Sequence, residues 1–156
     1  MTAEAWSATG VLEAPLDRVV DVLLAVTEGP IGTDNAPLLR ALPGAGALLG
    51  RATLRGGPEK FTIHYGQGPG GTVEVDRARG YFSFRGGYKF RADYHFTAHP
   101  KGTLLTYRTF NVAPEQHRNR AIVRFQFWLG GRLKIGLRGG LRHMGKALGC
   151  RAYPAT

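Results

Sequence analysis

A chain of 156 residues is one domain's worth, and 43 % hydrophobic content with 8 Phe, 6 Tyr and 2 Trp supplies a core and argues against disorder. The formal charge is +10, and a single cysteine, Cys150, excludes an internal disulfide and a Cys-rich zinc site. The longest apolar runs, such as Val22–Val26, fall far short of the ~18–20 residues of a membrane span.

In chain order, the opening MTAEAWSATG has no basic stretch followed by an apolar one, so the expected setting is a reduced cytoplasm. Ala5–Ala14 reads as a strand. Pro15 then introduces a helix over Leu16–Ala25, with Leu16, Val19, Val20, Leu23 and Leu24 at helical spacing and Asp17 favouring the helix dipole. Gly29-Pro30 ends it. Thr33 and Asp34 can cap a second short helix near Asn35–Leu42, which Pro43-Gly44 stops. From Arg51 to Val112 glycines separate β-rich runs: Ala52–Leu54, Phe61–Tyr65, Thr72–Asp76, Tyr81–Arg85, Tyr88–Ala98 and Thr103–Val112. Gly66-Gln67-Gly68-Pro69-Gly70-Gly71 reads as a flexible hairpin tip; with Pro inside it and no Lys-Ser/Thr pair, it is not a phosphate loop.

The last two runs make the clearest hairpin. His99-Pro100-Lys101-Gly102 is its turn, which sets Phe96 opposite Leu105, Tyr94 opposite Tyr107, Ala92 opposite Thr109 and Phe90 opposite Asn111. This largely apolar set should face inward. The other face pairs His95 with Thr106, Asp93 with Arg108 and Arg91 with Phe110, and Asp93–Arg108 reads as a surface ion pair of small value. Glu74 and Asp76 read as solvated carboxylates beside a turn.

Pro114 can open a long final helix. Ile122, Phe125, Leu129, Leu133, Leu137, Leu141, Met144 and Leu148 fall on one arc, with Arg120, Arg124, Arg138, Arg142 and Lys146 opposite. Between Glu115 and Arg151 nine basic residues stand against one acid, so this segment carries +8 of the total. Six interior glycines disfavour the helix by about 1 kcal/mol each, and a kink is expected at Gly130-Gly131.

The segment Ser7–Leu24 (SATGVLEAPLDRVVDVLL), the Gly102-Thr103-Leu104-Leu105-Thr106-Tyr107 strand start and the long last helix together resemble the SRPBCC or START-like superfamily, also called Bet v 1-like, which includes polyketide cyclase/dehydrase-type proteins. The chain departs from many relatives in having no aromatic residue over Gly29–Gly50. The resemblance implies a single helix-grip α+β domain: a curved antiparallel sheet of about seven strands around a long C-terminal helix, with two short helices after strand 1. It also implies a cavity between sheet and helix for a hydrophobic or polycyclic small molecule, lipid- or polyketide-like.

The residues allow such a cavity independently, because Tyr94, Tyr107, Thr109 and Asn111 place polar groups among Phe90, Phe96 and Leu105, as ligand sites do. The expected lining takes in Tyr88, His64 and Arg85 from the sheet and Leu137 and Leu141 from the helix. Arg85 faces in if its strand turns at Gly86-Gly87, and His64 is open to either face. Relatives of this type include ring-closing cyclases and aromatases as well as carriers. Aldol-type closure needs an acid or base and a donor for an enolate oxygen, and Tyr94, Tyr107 and His143 are the candidates. His95 and His99 read as surface histidines. With no HExxH and no Cys/His cluster, neither a metal nor a cofactor is expected. The basic helix face offers a third reading, contact with an anionic membrane surface; the absence of RNP, KH or helix-turn-helix patterns argues against nucleic acid.

Overall fold

The structure, a computed structural model, describes residues 3–31, 35–40, 52–65, 68–86, 90–111 and 137–155. Alternation of apolar and polar side chains with period two dictates its main feature. Nine strands form one antiparallel sheet: β1 (Ala3–Leu12), β2 (Gly29–Pro30), β3 (Thr53–Gly56), β4 (Lys60–Tyr65), β5 (Gly68–Asp76), β6 (Tyr81–Gly86), β7 (Phe90–His99), β8 (Gly102–Asn111) and β9 (Ala152–Pro154). Their spatial order is β2-β3-β4-β5-β6-β7-β8-β1-β9, a meander from β2 to β8 with the first strand added beside the eighth. The helix-grip α+β class is therefore as expected, with nine strands instead of about seven. The two additional strands are β2, which sits where Gly29-Pro30 reads only as a helix stop, and β9. The glycine-rich stretch expected as a hairpin tip is also largely strand, since Gly68–Gly71 lie in β5 and pair with β4.

Helix α1 spans Leu16–Leu23, with Pro15 at its N-cap in an extended conformation that suits the residue entering a helix. Its Val19 and Leu23 are buried, and Asp17 lies in the first turn. Helix α2 is a single turn, Pro37–Arg40, within the span expected for the second helix; the Thr33 and Asp34 caps lie outside the described residues. The chain is again helical over 137–148, here α3. Leu137, Leu141, Met144 and Leu148 are buried there, and Arg138, Arg142 and Lys146 are exposed. This is the expected amphipathic split. The Pro114 start and the Gly130-Gly131 kink lie outside the described residues.

The hairpin register follows the sequence reading from Arg91↔Phe110 to Ala98↔Thr103. Its turn is locked from below. Gly102 adopts φ +136°, and a Cβ there would lie 2.6 Å from both the Leu12 and Ala14 carbonyl oxygens. Thr103 Oγ1 next to it donates to Ala14 O at 2.8 Å, a buried bond. Glycine is therefore required at the point where the β7–β8 turn crosses the end of β1.

Helix α3 grips the sheet over β1. A Cβ at Gly10 would stand 2.7 Å from Leu141 Cδ2, so the bare backbone of β1 is what the helix rests on. Two contacts fasten the far end of α3. Arg18 Nη2, from α1, donates to Leu148 O at 2.9 Å and so places a cation at the helix C-terminus. Gly149, at φ +66°, then turns the chain into β9, which pairs with Gly10–Leu12 of β1. One apolar cluster joins α1, α2, the sheet's inner face and α3.

Candidate functional site

Cross-strand pairing assembles the inner face in rows. Val75, Phe82, Tyr94, Tyr107 and Ala8 form one row over five strands, and Val73, Phe84, Ala92 and Thr109 form the next. Val73, Phe82, Phe84, Tyr94, Phe96, Leu105, Tyr107 and Thr109 are all buried there, and Leu137 and Leu141 are buried from the α3 side. At the centre the Tyr94 and Tyr107 rings lie 4.8 Å apart between centroids, tilted by 57°, and Phe82 meets Tyr94 edge-on at 5.8 Å.

These phenols are strongly perturbed. Burial pushes the Tyr94 hydroxyl well above the usual tyrosine range, reinforced by the neighbouring Tyr107 phenol and the charge it would carry. Burial likewise raises Tyr107, which its interaction with the Tyr94 phenol partly offsets. Both are therefore neutral at physiological pH and serve as hydrogen-bonding groups rather than bases. Because the folded values lie above the unfolded one, near 10, the folded chain holds these protons more tightly. The resulting stability is complete below about pH 10 and drains away as pH rises towards the folded values. Urea unfolding followed from about pH 8 to about pH 11.5 should show stability falling above about pH 10. In a Tyr94→Phe/Tyr107→Phe variant that fall should be shallower.

The structure separates the other expected site residues. Tyr94, Phe96, Leu105, Tyr107, Thr109, Leu137 and Leu141 come together. Arg85 is exposed on the outer face, since Phe82 and Phe84 take the inward positions of β6. His64 is half-buried and alternates with buried Ile63, which puts it on the outer face opposite Thr53. His143 is half-buried on α3, between exposed Arg142 and buried Met144. Phe90 and Asn111 end their strands, with side chains outside the described residues, as is all of Tyr88. Phe82 and Phe84 were not among the expected lining, although the alternation Tyr81-Phe82-Ser83-Phe84 carries that signal.

The outer face corrects a second expectation. Asp93 stands opposite Arg108 as expected, but its ion pair is with Arg91 instead. It is buried, and its carboxylate accepts from Arg91 Nε at 2.9 Å, Arg91 Nη2 at 2.9 Å and Ser83 Oγ at 2.9 Å. Arg91 Nη2 also donates to Tyr81 OH at 2.9 Å, and its guanidinium lies over the Phe110 ring at 5.1 Å. Glu74 is exposed as expected, whereas Asp76 closes the β5–β6 turn by accepting from Arg79 N at 3.2 Å. Burial pushes the Cys150 thiol up, away from reactivity.

An open groove of about 560 Å³ lies between α1 and the Arg77–Gly80 turn, bridged by the Arg77–Asp21 ion pair at 2.8 Å. It lies on the α1 side of the sheet, bordered by Phe96, Thr97 and Ala98 of β7, and none of its lining comes from α3. Among the described residues no group of His, Cys, Asp and Glu is arranged to hold a metal, and no helix is long and apolar enough to cross a membrane.

No protein-family model matches this chain, and no curated protein matches its sequence. Solved structures do share its fold. A Staphylococcus aureus protein of unknown function superposes with a TM-score of 0.54 at 13 % identity, covering 96 % of this chain and 94 % of its own. A Bacillus halodurans protein solved in solution gives 0.52 at 14 % identity, covering 95 % of this chain and 99 % of its own. A conserved protein from Geobacillus kaustophilus gives 0.51 at 15 % identity, covering 98 % and 99 %. The likeness is one of architecture over the whole chain.

Proposed function

We propose that this chain is a Bet v 1-like container that binds a hydrophobic or polycyclic small molecule between the inner face of its sheet and α3. The observation that carries the reading is the Tyr94–Tyr107 pair: two phenol hydroxyls embedded in a largely hydrocarbon face. Burying a hydroxyl costs free energy that an alkyl side chain would not, so a pure packing role favours Phe at both positions. Apolar surroundings with a few fixed polar groups suit an apolar ligand bearing a carbonyl or hydroxyl oxygen. Phe96, Leu105, Thr109, Leu137 and Leu141 complete the described part of this lining; Arg85 and His64 are left out because they face the other side.

The close pairing of two buried phenols also supports a second reading, aldol-type ring closure. A neutral phenol donates to a developing enolate oxygen without itself ionising. In that reading Tyr94 and Tyr107 are the donors and His143 the acid or base. Native mass spectrometry of freshly purified protein, followed by organic extraction, tests the first reading: a discrete bound mass of apolar character is expected. Tyr94→Phe/Tyr107→Phe should keep its fold and lower the occupancy by about tenfold, as loss of two neutral hydrogen bonds predicts. Occupancy unchanged in that variant would remove the phenols from the site. Turnover lost in the same variant, on a substrate of the class extracted, would promote the second reading.

A further inference from the structure

We propose that the outward face of α3 is a docking surface for an anionic lipid bilayer. Leu137, Leu141, Met144 and Leu148 are buried, which fixes the rotation of the helix about its axis. Arg138, Arg142 and Lys146 are all exposed on the other side. Four-residue steps place successive cations about 6 Å apart along one line. Such a line meets a flat charged surface along its whole length.

Three further observations bear on this charge. Among the described residues the ion pairs are Arg77–Asp21, Arg91–Asp93 and Arg151–Glu13, so none involves the three α3 cations. No acidic residue follows Glu115 anywhere in the sequence. The partial negative charge at the C-terminus of α3, which would repel anions, is met by the Arg18 guanidinium on Leu148 O. Gly139 adds a steric feature. It is exposed, and a Cβ there would meet nothing within 4 Å, so packing does not call for a glycine that costs about 1 kcal/mol of helix propensity. It leaves open space at the helix surface next to Arg138.

A bilayer fits better than single-stranded nucleic acid, because the three exposed cations lie along one helix face. A plane of headgroups asks only for coplanar positive charge. The inference goes beyond the cargo reading and does not depend on it.

The test is co-sedimentation of the full chain with large vesicles of phosphatidylcholine alone and of phosphatidylcholine with about 30 % phosphatidylglycerol, which supplies the anionic surface. Binding is expected only with the anionic lipid and should be lost near 0.5 M salt, where the screening length is only a few Å (~4 Å). Arg138→Gln/Arg142→Gln/Lys146→Gln should weaken it on the order of 100-fold, at about 1 kcal/mol for each cation near the surface. Gly139→Glu, which fills open space and opposes the headgroups, should weaken it in a chain whose core is untouched. Equal binding to neutral vesicles, no vesicle binding, or undiminished binding by the triple variant would overturn the proposal. Capture of a single-stranded RNA in place of vesicles would also overturn it, in favour of nucleic acid.

Discussion

Gly102→Ala is expected to be the most damaging single-methyl change in the described chain, lowering stability by about 4 kcal/mol. Two independent penalties meet there. The backbone sits at φ +136°, a region that L side chains rarely adopt, and holding such a residue costs of order 1–3 kcal/mol. The added Cβ would also lie 2.6 Å from two backbone carbonyl oxygens, those of Leu12 and Ala14, and 2.7 Å from Ala14 N. No side chain can rotate away to make room, so the end of β1 or the turn itself must move, at a further cost of about 1–3 kcal/mol. Gly10 makes the contrast. Its neighbour is the tip of a leucine, which can rotate. Urea denaturation of Gly102→Ala beside Lys101→Ala, an exposed residue of the same turn, measures the effect as a midpoint shift at constant slope. A shift within about 0.5 kcal/mol of the Lys101→Ala control would mean that β1 does not lie beneath the turn as described.

Asp93→Ala should come next, at about 2–3 kcal/mol. The carboxylate is the acceptor for a bidentate guanidinium and for a serine hydroxyl, and its removal leaves both donors without it. Breaking a fully buried ion pair costs about 3–5 kcal/mol. The Arg91 side chain is 28 % exposed, and water can meet part of its need, which reduces the figure. Arg108→Ala supplies the discriminating comparison. If Asp93 were half of a surface pair with Arg108, the two substitutions would each cost under about 1 kcal/mol and share it. The network with Arg91 and Ser83 instead predicts that Arg108→Ala is nearly silent. An Asp93–Arg91 coupling near zero in a double-mutant cycle would show that the observed geometry contributes no stability.

Asp93 also marks the limit of what the sequence discloses. Alternation and the four-residue turn determine which residues lie opposite which across β7 and β8, because a slip of one would turn Tyr94, Phe96, Leu105 and Tyr107 outward. Facing position is not the same as contact. Arg91 stands two residues from Asp93 on the same strand and face, and its guanidinium donates to both carboxylate oxygens at 2.9 Å. No count of residues ranks those two partners. The short strands were illegible for another reason. Gly29-Pro30 is too short to show a period, and Ala152-Tyr153-Pro154 ends in a residue that disfavours strands, so each is strand only because a neighbouring edge offers hydrogen bonds. His64 and Arg85 were ambiguous for want of a flanking pattern. Their facing is set by the inward rows their neighbours join, which take several strands together to define.

The position of β1 has a consequence in time. Gly10 pairs with Leu105 on one side and with Pro154 on the other, so the first strand is held by two partners made roughly a hundred residues or more after it. During synthesis β1 must wait with both edges bare while β3 to β7 pair with their immediate neighbours. At roughly 5–20 residues per second that interval lasts about 5–30 s. It is the stretch of the chain most exposed to capture by another unfinished copy, and the step that closes the sheet is the one that waits longest.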